Sequence, residues 1–363
     1  MPAIVNGGVS GDLNPGFDGA GGPVATALAV VRKTNLTTGL GDAFSAQVSY
    51  GWDQVAGSAR VALPAPDGSI DDQLVISMGA GNNVQCFSGT RRQDDTTLAP
   101  HVVVAVGKTP LYAIEEWENN VETVAADEGK PGLDFETLVG ATTATLQTIV
   151  TKVLDLVGVS YSLGNFDNPS HLYGTNAPEL LTWPVGTSAA AFLHTVFEAS
   201  AGYRLFDSPD DGQVYLKQIS AVPGSPDFTF TLGLDIFGDS TALDSSLGQR
   251  SAVLVHGYDD GSGPATSGVV GSGSIFRVNS QLIETDAFAV ELANFWLPQV
   301  SRRQQVVRLS TPRDELLRPG HTIGVDAWSG LGVSKNLWLK SVVREIAPNG
   351  AFTQHLVCVP GAS

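Results

Sequence analysis

Short apolar runs separated by polar turns dominate the first third of the chain. From 24 to 118, runs such as "AFSAQVSYGW", "SARVALPAP", "DQLVISM" and "HVVVAV" are rich in Val, Ile, Phe and Ala and are bounded by Gly, Pro, Asn and Asp. Regularly spaced short strands of this kind are typical of a sandwich or a barrel. The pattern predicts a first small antiparallel β-barrel over 24–118, in which glycines such as Gly89 mark bulges or tight corners.

The apolar spacing becomes helical in two later segments. In "ATLQTIVTKVLDLVG" the apolar residues recur on one face, which predicts a helix over 144–157 that ends at Gly158. "SAAAFLHTVFEASAG" predicts a second helix over 188–201, with Ser188 as its N-cap. The runs "YRLF" and "QVYLKQI" follow as a hairpin with "DSPDDG" as its turn. These elements predict an α+β domain over 119–226.

Strand-like runs return after this domain. "DFTFTLG" and "SAVLVHGY" at 227–258, together with the alternating "HTIGVDAW" and its neighbours at 301–363, predict a second small antiparallel barrel. Between these parts, 259–300 is predicted to be an insertion, with a flexible Gly/Ser loop over 259–274 and a helix that ends at Pro298. The predicted fold class is therefore mainly β, with two small antiparallel β-barrels and an α+β domain between them.

The composition is that of a globular protein with an acidic balance. Hydrophobic residues make up 42% and charged residues 16%, and 37 Asp and Glu against 20 Lys and Arg give a net charge of -17. A DNA-reading surface needs a basic stripe, which this balance disfavours. No apolar run is long enough to predict a membrane span. The Gly-rich segment over 1–23 lacks the order of a secretory signal and is predicted to be an N-terminal arm.

Residues that commonly carry chemistry are scattered along the chain. The six histidines form no metal-ligand motif and are predicted to be surface or boundary residues; they are His101, His171, His194, His256, His321 and His355. Glu115, Glu116 and Glu118 in "EEWENN" suggest a glycosidase pair, but neighbours in an extended stretch point to opposite faces, which favours a solvated linker. We therefore predict no catalytic residue, no cofactor and no metal site.

Cys86 and Cys358 each lie within a predicted strand. Cysteine is among the residue types most often buried, so buried free thiols are favoured for both. A disulfide between them stays an alternative.

Three stretches in this order resemble the hub proteins of phage tails and related injection machines. "VQCFSGTRRQ" at 84–93 is similar to a barrel strand of the first hub domain. The segment that begins "TWPVGTSAAAF" is similar to the helix, Gly, Tyr, strand, Asp-Gly turn, strand unit of these proteins. "VVRLSTPRDELLRPGHTIGV" and the long hairpin after it resemble the end of the second hub barrel. The resemblance spans about 24 to 360. The proteins that the chain resembles are the late control proteins of contractile-tailed phages, the hub part of type VI secretion spike proteins, and the corresponding domain at the tip of long flexible tails.

The resemblance implies a structural virion protein of the tail tip or baseplate that is assembled in the host cytoplasm. It implies a homotrimer whose two barrels per chain form a ring of six units, which adapts a hexameric tail tube to a trimeric spike or fibre. The expected partners are a tail tube or distal tail protein and a spike, fibre or tail-tip protein. DNA or a tape-measure protein would pass through the channel without tight binding. The alternatives are a protein that binds or hydrolyses cell-wall glycan and a monomeric adhesion or secretion module.

Overall fold

A computed structural model gives the structure of the chain. The predicted N-terminal arm over 1–23 and His101 lie outside the residues that it describes. The described residues are 30–32, 43, 45–52, 56–63, 73–78, 84–99, 102–120, 132–167, 169–174, 182–208, 213–220, 222–231, 233–236, 241–245, 249–259, 261–301, 304–313, 315–326, 336–348 and 350–360.

Strands far outnumber helices in the described residues. The helices are α1 (Tyr112–Glu116), α2 (Phe135–Val139), α3 (Leu146–Val157), α4 (Ala189–Glu198) and α5 (Asp286–Ser301). The strands before α4 are β1 (Val30–Arg32), β2 (Ser45–Gly51), β3 (Ser58–Leu63), β4 (Gln73–Met78), β5 (Val84–Ala99), β6 (Val102–Lys108), β7 (Gly132–Leu133), β8 (Ala144–Thr145), β9 (Tyr161–Phe166), β10 (Leu172–Tyr173) and β11 (Trp183–Pro184). The later strands are β12 (Tyr203–Asp207), β13 (Val214–Gln218), β14 (Phe228–Thr231), β15 (Thr241–Ser245), β16 (Ala252–Asp259), β17 (Pro264–Gly271), β18 (Ile275–Asn279), β19 (Gln304–Thr311), β20 (Thr322–Asp326), β21 (Asn336–Ile346) and β22 (Phe352–Pro360). Across these ranges, no helix combines the length and the apolar character that crossing a bilayer requires.

The first six strands form the antiparallel arrangement that the alternation predicts. Their order in space is β1-β4-β5-β6-β3-β2, and every neighbouring pair is antiparallel. Along β3 the side chains of Ala59, Val61 and Leu63 are buried while Arg60 is exposed. This pattern arises because successive residues of a strand face opposite sides of the sheet.

Strands from the end of the chain continue the same sheet. β2 pairs with β21 from Ala46 opposite Ile346 to Gly51 opposite Ser341, and β22, β19 and β15 follow in that order. β14 pairs with β20 in parallel. Parallel pairing requires a long connection between the two strands, and here most of the C-terminal part of the chain lies between them. Among the described residues, the two end strands of this order, β1 and β15, do not pair with each other. Both regions that were predicted as barrels contribute strands to one twelve-stranded sheet. The prediction of a mainly β chain with an inserted α+β part is confirmed.

A single apolar core lies under both halves of this sheet. It combines buried side chains from the first and the last strands, among them Val48, Val61, Ile76, Phe87, Val307, Leu339, Val342 and Leu356. Because burial of apolar surface is the main driving force of folding, separation of the two halves would expose this core to water. The two halves therefore share one apolar core.

The helical part contains both helices that the sequence predicts. Helix α3 ends before Gly158 as predicted, whereas α4 ends at Glu198 and not at the predicted residue 201. Thr145 Oγ1 accepts a hydrogen bond from the backbone N–H of Thr148 at the start of α3, and Gly158 follows its last turn with a φ of 81°. Ser188 Oγ accepts from the N–H of Ala191 at the start of α4. Such caps satisfy the orphan N–H groups of a first turn, and glycine adopts the left-handed conformation without a steric penalty.

The predicted hairpin is also present. β12 and β13 are antiparallel from Tyr203 opposite Gln218 to Asp207 opposite Val214, and β9 joins β13 in parallel. The tip of the turn, 209–212, lies outside the described residues.

The segment from β16 to α5 differs from its prediction. The sequence placed β16 in the second barrel, whereas it pairs with β17 and β18 in a separate three-stranded sheet against α5. The buried Val253 and Val255 of β16 belong to the core of the helical part, which explains this placement. The predicted Gly/Ser loop contains β17. Helix α5 continues through Pro298 to Ser301, because proline in a last turn removes only one intrahelical hydrogen bond and Val300 O accepts from the N–H of Arg250.

We predict that Gly89→Ala destabilises the sheet. A Cβ at Gly89 on β5 would lie 2.2 Å from the carbonyl oxygen of Lys108 on β6, so the strands would have to move apart. Overpacking of this kind costs about 1–3 kcal/mol of unfolding free energy, measured by chemical denaturation. Gly164→Ala on β9 is the matched control, because its Cβ would meet only Ser162 Oγ at 3.8 Å. Equal stability of the two variants would contradict the close approach.

Candidate functional site

The three carboxylates of the glycosidase hypothesis do not form a catalytic pair. Glu115 and Glu116 lie on helix α1, so the prediction of an extended linker is wrong for them, and Glu118 forms a backbone bridge with Ser188. All three are exposed, and Glu116 makes an ion pair of 3.3 Å with Arg92. Consecutive helical residues point about 100° apart, whereas glycosidase carboxyl groups face each other across a sugar. The geometry favours solvated side chains.

The five histidines that the structure describes form no common cluster with other possible metal ligands. His194 is 75% exposed and pairs with Glu198, and His355 shares a hydrogen bond with Ser310. Burial lowers the pKa of His171 to about 4. In the described ranges, no group of three or more His, Cys, Asp and Glu side chains is arranged to hold a metal ion.

His321 is mostly buried beside the Pro-Gly turn. Its Nδ1 accepts a hydrogen bond from the backbone N–H of Arg318 at 3.2 Å. Burial lowers its pKa to about 4. The hydrogen bond joins the ring to the residue before the Pro-Gly turn.

Both cysteines are free and buried, as the sequence favours. The Cys86 thiol donates to the carbonyl oxygen of Ile76 at 3.4 Å. Burial raises the pKa of Cys86 to about 11 and raises the pKa of Cys358 further. Since the thiolate is the reactive form, neither side chain is suited to nucleophilic chemistry.

A buried carboxyl group joins the helical part to the sheet. Asp207 ends β12, and its Oδ2 accepts from the backbone N–H of Gly57 at 3.1 Å while its Oδ1 accepts from the N–H of Leu111 at 3.3 Å. Its Oδ2 also accepts a hydrogen bond from Thr109 Oγ1. Gly57 precedes β3, and Thr109 and Leu111 follow β6. Sequence reasoning missed this role, because Asp207 looked like one more residue of the "DSPDDG" turn.

Thr109 links the Asp207 carboxyl group to the segment before β3. Its Oγ1 donates to Asp207 Oδ2 and also lies 3.3 Å from the carbonyl oxygen of Gly57. Burial raises the pKa of Asp207 to about 7, although its three hydrogen bonds lower it.

An apolar cleft lies beside this joint. It has a volume of about 300 Å³ and is bounded by β2, α1, α4 and β12. The residues that line it are Trp52, Leu111, Ile114, Ala190, Leu193, His194, Phe197, Tyr203, Arg204 and Leu205. These residues come from segments far apart in sequence, so no local motif reveals the cleft.

Neither a protein-family model nor a curated protein sequence matches the chain. Solved structures do match it. A tail protein from Neisseria meningitidis MC58 superposes with a TM-score of 0.66 at 12% identity, over 92% of this chain and 96% of that one. The 43 kDa tail protein of prophage MuSo2 from Shewanella oneidensis gives 0.62 at 9% identity, over 92% and 98%. The chain has the fold of phage tail proteins.

The tail-protein fold also occurs in a secretion system. The E. coli protein c3393, a component of the type VI secretion system with structural similarity to the phage T4 tail proteins gp27 and gp5, superposes with a TM-score of 0.52 at 10% identity. The match covers 91% of this chain and 76% of c3393. The resemblance to tail hubs and spike-related proteins that three sequence stretches suggest is therefore confirmed at the level of the fold.

We predict that Asp207 makes stability fall as pH rises. Its folded pKa of about 7 lies above the ordinary value of 3.8, so between these values only the folded chain keeps the proton. The loss begins as pH rises above about 4 and is complete above about 7, and it amounts to at most about 4 kcal/mol. The measurement is unfolding free energy against pH, from about 5.5 to 8.5, for the natural chain and Asp207→Asn.

The variant serves as the matched control for this measurement. It keeps His171 and His321, whose lowered pKa values give the opposite slope at acid pH, so the difference between the two curves isolates Asp207. The stability advantage of the natural chain should shrink with rising pH. Parallel curves would show that Asp207 does not titrate in this window.

Proposed function

We propose that the chain is a structural protein of a phage tail or of a related injection machine, located in the virion at the tail tip or baseplate. The observation that carries the proposal is the tail-protein fold, which extends over 92% of this chain and 96% of the Neisseria tail protein. A match over nearly the whole of both chains supports a shared architecture rather than a shared module. We infer a structural role without enzymatic activity, in line with the tail proteins that share the fold.

The finer proposal is a hub that adapts six-fold to three-fold symmetry. In a homotrimer, the two sheet halves of each chain would present six units to a hexameric tail tube or distal tail protein, and three chains to a spike, fibre or tail-tip protein. The shared core supports this arrangement, because it fixes the two halves of a chain relative to each other. The division into 24–118, 119–226 and the C-terminal parts remains a proposal, with β16 assigned to the insertion.

Three chains should associate in solution or on contact with a partner. Light scattering during size-exclusion chromatography should give a mass close to three times 37.9 kDa, for the chain alone or after addition of tube or spike protein. Closed rotational symmetry is the usual state of such assemblies. A chain that stays at 37.9 kDa under both conditions, and that forms no three-fold ring in purified particles, would rule out the hub.

The chain should not retain duplex DNA. A channel that lets a polyanion slide needs a wall without a basic track, and a net charge of -17 per chain favours such a wall. We expect no retardation of duplex DNA by about 10 µM protein at low ionic strength, where attraction between charges is least screened. Retardation that disappears as salt is added would contradict the proposed channel surface.

A further inference from the structure

The separate three-stranded sheet has the order β17-β16-β18, so β18 lies at one of its edges. Among the described residues β18 pairs with β16 and with no other strand, in parallel along its whole length. Two bonds fix the phase of this pairing: the N–H of Ala252 donates to Ser274 O at 3.1 Å, and the N–H of Ser280 donates to His256 O at 3.1 Å. Because alternate residues of a parallel strand bond to opposite sides, only the even-numbered residues of β18 bond to β16.

The odd-numbered residues of β18 carry unused backbone groups along the outer edge. They are Ile275, Arg277 and Asn279, and within the part of the chain that the structure describes their N–H and C=O groups have no hydrogen-bond partner. Arg277 and Asn279 are exposed to solvent. A row of unpaired donors and acceptors on an exposed strand is what an extended peptide needs in order to add to a sheet.

The charge of this edge indicates one side chain of such a peptide. Arg277 lies in the middle of β18, and in the described ranges its guanidinium makes no ion pair. This is unexpected in a chain where 37 acidic residues outnumber 20 basic ones. A guanidinium group is well matched to a carboxylate, so an acidic side chain beside Arg277 would complete the pair.

The opposite face of β18 indicates the neighbouring side chains. Phe276 and Val278 pack against the core of the helical part but are only half-buried, and the Phe276 ring lies 5.7 Å from the ring of Trp296 on α5. Successive side chains of a strand point to opposite faces of the sheet. A strand that places a carboxylate beside Arg277 therefore places its next residues on the face of Phe276 and Val278, where apolar side chains would bury more surface.

We propose that β18 binds an extended segment of another protein, which adds a fourth strand to the sheet β17-β16-β18. The backbone of the segment pairs with Ile275, Arg277 and Asn279. An acidic side chain of the segment lies opposite Arg277, and the apolar side chains that flank it cover Phe276 and Val278. All of these contacts come from one chain, so the proposal does not depend on the homotrimer.

The probe for this edge is an acetylated and amidated peptide with a central glutamate between two valines and a threonine at each end. The control peptide has glutamine in place of the glutamate. The full chain is labelled with nitrogen-15 isoleucine, and the Ile275 resonance is assigned with Ile275→Val. Titration to about 10 mM suits the weak binding of a short peptide.

We expect a saturable shift of the Ile275 amide resonance. The amide of Ile283 should not shift, because its N–H already donates to Ser280 O at 3.1 Å. The glutamine peptide should bind about three-fold more weakly, since an exposed ion pair contributes only modestly to affinity. Methyl groups on the backbone nitrogens of the three central residues remove the donors of the peptide and should abolish the shift.

Variants separate recognition from structural damage. Arg277→Gln should bind both peptides equally, with the affinity of the natural chain for the glutamine peptide, which shows that the edge is intact. Arg60→Gln is the matched control: Arg60 is an exposed arginine on β3, a strand paired on both sides, so this variant should keep the natural preference for glutamate.

Four outcomes would overturn the proposal. Three of them are an unchanged Ile275 resonance, equal binding of the two peptides by the natural chain, and undiminished binding of the methylated peptide. The fourth is a shift of the Ile275 resonance that grows with protein concentration in the absence of peptide, which would assign the edge to a second copy of the chain.

Discussion

The buried carboxyl group of Asp207 constrains where the helical part sits on the sheet. A carboxyl group that is fully removed from water must find its hydrogen-bond partners within the fold, because an unsatisfied one costs several kcal/mol. Here the partners come from Gly57 before β3 and from Thr109 and Leu111 after β6. Gly57 has little room of its own, since a Cβ there would lie 2.3 Å from the Tyr50 ring. One side chain thus holds β12 against two chain segments of the sheet, and the walls of the apolar cleft are positioned as a result.

The architecture combines one large sheet with a separate three-stranded sheet on the helical part. The twelve-stranded sheet and its single core make the first and last parts of the chain one body, while β16, β17, β18 and α5 pack on the helical part instead. This fold is shared with tail proteins at only 9–12% identity. Alternation of apolar residues and a few turn residues are enough to specify such a sheet.

Local signals predicted local structure well, and long-range pairing was beyond them. Ser188 and Gly158 marked helix ends because capping depends on residues within one turn. β16 was assigned to the wrong sheet, because a buried apolar strand does not reveal its neighbour. Asp207 looked like a turn residue, since its partners lie about 100 and 150 positions earlier in the chain. The apolar cleft could not be predicted from the sequence, because its lining residues come from four segments that are far apart in the chain.

The pairing of β2 with β21 also dictates the order of events during synthesis. Ala46 emerges from the ribosome three hundred positions before Ile346, the residue it pairs with. Until then β2 has an unpaired edge, and such edges invite association with other chains. Pairing over so long a loop is slow, because the chain entropy must be lost before the contacts form. The N-terminal strands therefore complete their sheet only after the C-terminal strands have been synthesised. A nascent chain that is released early lacks β21, and its strand β2 keeps an unpaired edge.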